Sequence, residues 1–306
     1  MQRKLLLATQ WIFAVAIVWF AISALKGQWR HAGARLSSLT PDWPMIGASA
    51  IIVVLTYVLL IDAWRRVVTA SGQTLGFATA ARIWFVSNLG KYVPGKVWSI
   101  AAMTMMARDN AVSGVVAAGS SLLMQLVSIL TGIGVVLITG AQALDHPRLA
   151  ILAAVALGLA LLATPQILPP LIRYAARVSG REVTVPRLET STVLMAALRS
   201  AISWVAYGVA FQLFVRGLLG SAAGATTSYI AVYAASYIIG FLALFAPGGA
   251  VVRESAMVTG ILRLGIAGQA DAIAIALASR LWLTVLELLP GLGYLAAGRR
   301  RPHPTN

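Results

Sequence analysis

The stretch SNLGKYVPGKVWS, residues 87–99, sets Lys91 and Lys96 on either side of a Pro94-Gly95 break in otherwise apolar surroundings. Proline lacks an N–H and disfavours helix at the residue before it, so a helix stops at Val93. Gly95 permits close approach of the backbone to a ligand, and a helix restarting at Lys96 points free N–H groups at an anion. The lysines add point charges, while Ser87, Asn88 and Ser99 add neutral hydrogen bonds. A phosphate is the ligand that suits this chemistry. The competing reading sends both lysines to the membrane interface, with Tyr92 and Trp98 as interfacial aromatics. Charge inside an apolar segment is expensive and usually has a role, which favours the anion site.

A second stretch, FAPGGAVVRESAM, residues 245–257, echoes the first. With the first extended to YVPGKVWSIAAM, residues 92–103, each has an aromatic two residues before proline, glycine after it, a cation soon afterwards and Ala-Met near its end. Arg253 presents a planar fork that accepts two phosphate or carboxylate oxygens at once, and Gly248 and Gly249 join it in the candidate phosphate set. Glu254 needs a membrane cation, and Arg280 is the best candidate. Arg280 and Glu287 lie seven residues apart on one face of the last apolar segment, so that face turns toward protein or water. The competing reading makes these charges an internal network that merely permits insertion.

These residues are set in 306 amino acids that are 59% hydrophobic and 11% charged, with a mean hydropathy of +0.84. Nine acids and 24 bases cannot cover a soluble domain of this length. Apolar runs long enough to span recur at about 5–25, 45–63, 112–139, 149–172, 193–216 and 271–296. Two further stretches, about 82–107 and 228–264, are interrupted by Pro-Gly. The fold expected is all-α: a polytopic integral membrane protein of about six full spans plus two broken, re-entrant helical hairpins in an inverted repeat. The second hairpin could instead be two short tilted spans. The longest polar segment, Arg173 to Thr192, has 20 residues, so residues 1–306 are expected to be a single membrane domain.

Orientation follows from lysine and arginine. With the N-terminus inside, thirteen bases fall on the cytoplasmic side and six outside, favouring N-in and C-in in a cytoplasmic (inner) membrane. The +15 charge is spread between spans and suits anionic headgroups rather than nucleic acid. No cysteine is present, and His31, His146 and His303 lack metal-ligand spacing. No metal, cofactor or catalytic set is expected. Ser113, Ala117 and Ser121 form a packing ridge, and Gln125, Ser128 and Thr131 either line the cavity or hydrogen-bond between helices. Arg199 is expected to snorkel, and Trp11, Trp19, Trp29, Trp43 and Trp64 to form an interfacial belt.

At these residues a family pattern emerges. Gly90, Lys91, Tyr92, Pro94, Gly95, Lys96 and Trp98 match a GKY-(I/L/V)-PG-K-x-W segment, and Pro247, Gly248, Gly249, Arg253 and Glu254 match PGG-x-G-x-RE. The chain resembles the lysylphosphatidylglycerol synthase transmembrane-region family, also called flippase-like, across most of its length. It departs from the pattern at Ala250 and Val251. In two-part members of that family the membrane region translocates lipid and a separate cytosolic domain transfers the aminoacyl group. The resemblance therefore implies lipid transport without synthesis, in a cell-envelope or polyprenyl-lipid pathway.

The expected function is a lipid flippase moving an anionic phospholipid or polyprenyl-phosphate-linked lipid between leaflets. Lys91, Lys96 and Arg253 would hold the phosphate, and Glu254, Arg280 and Glu287 would form a charge network that reorganises as access switches. No Walker A motif is present, so transport is gradient-driven or facilitated. The alternatives are a membrane enzyme acting on a lipid phosphate, with Glu254 as its base, or a non-transporting partner of a lipid or glycosyl-transfer enzyme.

Overall fold

The computed structural model describes residues 37–92, 97–141, 147–178, 189–243 and 249–298. The first expected span, with Trp11, Trp19 and Trp29, lies outside them. Every regular element among the described residues is helical. In chain order they are α1 (Trp43–Ala70), α2 (Phe77–Asn88), a 3₁₀ turn (Leu89–Tyr92), α3 (Val97–Arg108), α4 (Gly114–Thr139), α5 (Pro147–Val178), α6 (Thr190–Leu219), α7 (Thr226–Leu242), α8 (Val252–Arg263) and α9 (Gln269–Gly298).

Of these, α1, α4, α5, α6 and α9 contain apolar runs long enough to cross a bilayer. The chain is a multi-pass membrane protein. Its lipid-facing surface shows in the exposed large apolar side chains, dense along α5 at Leu149, Leu152, Val155 and Leu159. By contrast α2, α3 and α8 have 12 residues each. At 1.5 Å per residue they reach roughly 18 Å, well short of a core of about 30 Å. The pairs α2–α3 and α7–α8 therefore form hairpins that turn back inside the bundle.

Contacts between helix ends fix their directions. Asp42 caps α1 by accepting from the Met45 N–H at 3.1 Å, and its own N–H donates to the Gly217 carbonyl at 2.7 Å. The start of α1 thus meets the end of α6, and the two helices run antiparallel. Gly224, just before α7, lies against Ile266, just before α9. One end of the bundle accordingly holds the start of α1, the end of α6 and both feet of the α7–α8 hairpin. At the other end Gln73, between α1 and α2, accepts from the Ser113 N–H at 3.0 Å, joining both feet of the α2–α3 hairpin. The hairpins enter from opposite ends, as an inverted repeat requires.

Because lipid is as apolar as leucine, close backbone approach and interhelical hydrogen bonds hold such a bundle together. A Cβ on Gly208 would lie 2.4 Å from the Ile230 Cα, so only glycine lets α6 meet α7 there. Ser49 donates to the Ala210 carbonyl (2.7 Å), Thr131 to the Ser200 hydroxyl (2.9 Å) and Trp204 to the Ser128 carbonyl (2.9 Å). Ala117 is buried and Ser121 donates to the Met103 sulfur at 2.6 Å, so the small-residue ridge of α4 packs on α3.

Two expectations are corrected. Trp64 is not an interfacial residue: it is 0% exposed, its indole N–H donating to the Ser120 hydroxyl at 3.0 Å. Nor does Arg199 snorkel. It pairs across helices with Asp62, which also accepts from Arg65 and Arg66 one turn along α1. A half-buried guanidinium beside a carboxylate gains more from the pair than from reaching water. Asp62→Asn is expected to cost about 1–3 kcal/mol of stability, since Arg199 loses its charged acceptor. Thermal unfolding in detergent measures this, with the exposed Arg66→Gln as the milder comparison.

Candidate functional site

Each hairpin is closed near its tip by glycine. A Cβ on Gly90 would lie 2.9 Å from the Ser99 nitrogen in the opposite arm. In the second hairpin, a Cβ on Gly240 would lie 2.7 Å from the Arg253 Cβ, and one on Gly249 2.7 Å from the Gly240 carbonyl oxygen. Gly249 also has φ +69°, a conformation that glycine alone adopts freely. These contacts draw α7 and α8 together and press the Arg253 stem against α7.

The tips then meet α9 at two levels. Arg280 donates to Glu254 Oε1 at 3.0 Å, tying the start of α8 to the first half of α9. Glu254 Oε2 accepts the Val251 N–H at 2.7 Å, so this carboxylate also caps α8. Seven residues further along α9, Glu287 pairs with Lys91 from the 3₁₀ turn of the first hairpin. Leu89 and Phe85 of that hairpin pack against Gly291, where a side chain would collide with them.

Between the tips lies a cavity of about 500 Å³. Of the sequence-predicted residues, Ser87, Asn88, Lys91, Gly249, Arg253, Arg280 and Glu287 line it, together with Ser99, Gln125 and Ser128. Glu254 stands behind Arg280. Thr131 is turned away onto Ser200, so the polar row of α4 divides between cavity and helix packing. Gly95, Lys96 and Gly248 lie outside the described residues.

Arg253 is the unusual member. It is 8% exposed, and its guanidinium carbon sits 5.7 Å from the Tyr233 ring centre and 5.4 Å from that of Tyr237. Stacking of this kind favours the cation modestly. Its Nη2, however, has no hydrogen-bond partner among the described residues. A buried charged donor without an acceptor costs about 1–3 kcal/mol or more. The buried Tyr57 hydroxyl on the same wall also lacks one.

Sequence reasoning missed the aromatic wall of Tyr57, Tyr207, Tyr233 and Tyr237. A signal existed: Tyr229, Tyr233 and Tyr237 recur every four residues along α7, a stripe on one helical face. Tyr207 and Tyr233 stack with centroids 5.4 Å apart, fixing the platform beneath Arg253.

Backbone strain marks the same place. Val251 has φ +70° and ψ −48°, outside the region a β-branched residue adopts freely. Val251→Gly is expected to raise stability by about 1 kcal/mol, strain relief outweighing the added chain entropy. Gly249→Ala is expected to lower it by about 2 kcal/mol or more, combining positive φ with a backbone clash. Thermal unfolding of both variants in detergent checks the pair of opposite signs.

A family model described as the lysylphosphatidylglycerol synthase TM region matches residues 4–291. A comparison with curated proteins returns no match.

Proposed function

Because the chain belongs to the lysylphosphatidylglycerol synthase transmembrane-region family, we propose that it moves an anionic phospholipid or a polyprenyl-phosphate-linked lipid between leaflets. It would do so as a single transmembrane domain of the cytoplasmic membrane, with both termini on the cytoplasmic side. The observation that carries this reading is the buried Arg253 guanidinium, with one nitrogen unpartnered among the described residues, on the wall of a cavity lined by both opposed hairpins.

Arg253 anchors the phosphate through charge-assisted hydrogen bonds, worth roughly twice neutral ones. Lys91 lies on the same wall and Lys96 follows in the same hairpin segment, so the first hairpin supplies further cations to the lipid. An arriving phosphate competes with Glu287 for Lys91. That exchange loosens the first tip from α9 while Glu254 and Arg280 keep the second tip attached. Alternate release of the two tips would open the cavity to one leaflet and then the other. Both oxygens of Glu254 already accept from Arg280 and the Val251 N–H, which disfavours its use as a catalytic base.

Reconstitution into vesicles tests the proposal, following translocation of a tail-labelled anionic lipid. Arg253→Ala is expected to slow transport by roughly ten- to a hundredfold, the scale of a lost charged hydrogen bond. Lys91→Ala and Lys96→Ala are each expected to slow it as well. Wild-type rates in all three folded variants would remove this site.

A further inference from the structure

We infer that the outer surface of the bundle carries a second anion site, separate from the cavity, where Arg65, Arg66 and Arg199 around Asp62 hold the phosphate of an anionic lipid.

The charges at this point do not balance. Asp62 Oδ1 accepts from Arg65 Nε at 3.0 Å and from its Nη2 at 2.7 Å. Asp62 Oδ2 accepts from Arg66 Nε at 2.8 Å and from Arg199 Nη1. Both oxygens are thus filled, and no other carboxylate among the described residues pairs with these arginines. Three guanidiniums on one carboxylate leave two positive charges over, with N–H donors beyond those in use. Arg66 is 55% exposed, and Arg65 and Arg199 are partly so, which leaves them open to an incoming anion. None of the four residues lines the cavity. Planar guanidiniums fixed around one centre suit the oxygens of a phosphate.

Depth points to a lipid as the source. Trp43, the first residue of α1, is 70% exposed, as interfacial indoles are. Asp62 follows 19 residues later, a rise of about 29 Å against a hydrocarbon core of about 30 Å. In α6 the exposed Arg216 lies 17 residues beyond Arg199, about 26 Å away. The cluster therefore stands at the level of the headgroups. Toward the bilayer centre the surface turns apolar. Val58, Leu55 and Ile51 precede Asp62 by four, seven and eleven residues, on its own face of α1, and all are exposed. Ile202, three residues past Arg199, is exposed beside them on α6. An acyl chain lying along this stripe brings its phosphate to the arginines, whereas a free phosphate gains nothing from the stripe.

The chain has no cysteine, so a single fluorophore can be attached at a chosen position. Leu55→Cys places it on the stripe, and Leu159→Cys places it on the exposed face of α5 for comparison. In nanodiscs, quenching by phosphatidylglycerol and by phosphatidylcholine with nitroxide-labelled tails measures the lipid preference beside each label. At Leu55→Cys the expected preference for phosphatidylglycerol is roughly 25-fold, about fivefold for each excess charge, against about one at Leu159→Cys. Arg66→Gln is expected to lower it about fivefold, and Arg65→Gln with Arg66→Gln to abolish it. Both variants keep the Asp62–Arg199 pair that joins α1 to α6. Arg253→Ala, which removes the anchor in the cavity, is expected to leave the preference unchanged. Equal preference at the two labels, or a preference that survives the double variant, would overturn the site. A preference lost with Arg253→Ala would place the lipid in the cavity and overturn it as well. Inorganic phosphate at matched ionic strength is expected to leave quenching unchanged; displacement of phosphatidylglycerol would mark a soluble-anion site and overturn the lipid assignment. Thermal unfolding and gel filtration confirm that each variant is folded.

Discussion

A charge inside a bilayer must find a partner or a water-filled space, and α9 carries two of opposite sign seven residues apart. Arg280 is answered by Glu254 and Glu287 by Lys91, each from a different hairpin tip. These two pairs decide much of the rest. They tie each hairpin to α9 and leave the cavity between them. Of the described residues outside the α-helices here, Lys91 and Gly249 line that cavity, where irregular backbone is tolerated.

The pairs also explain why Arg253 stands apart. With Glu254 held by Arg280, the neighbouring arginine has no acid left among the described residues and rests on tyrosine faces instead. Its position is over-determined by glycine contacts at Gly240 and Gly249 and by the strained turn at Val251. Strain and an orphaned donor at one point are features that a structure keeps when something binds there.

The span pattern was legible because a bilayer imposes length and hydropathy on every crossing. The expected 112–139 compares with α4 at Gly114–Thr139, and 193–216 with α6 at Thr190–Leu219. The broken stretches were legible because Pro94 and Pro247 cannot sit quietly in a helix. Helix faces were not legible, since lipid-facing and core-facing side chains are equally apolar. Trp64 and Arg199 were misread for that reason: both sit near helix ends, where an interfacial position and an interhelical bond leave the same trace in sequence. Lys91 and Glu287 lie 196 residues apart in the chain, and no local pattern links them. The tyrosine stripe of α7 was visible as spacing, but only packing shows that it supports Arg253.

The account stands on Arg253 as the anchor for a lipid phosphate, and the most direct measurement is an experimental structure of the protein in nanodiscs that contain anionic lipid. The expected result is phosphate density about 3 Å from Arg253 Nη2, at hydrogen-bond distance, with the lipid tail leaving between the hairpins. Arg253 Nη2 bonded to a protein acceptor, with lipid phosphate bound elsewhere, would contradict it.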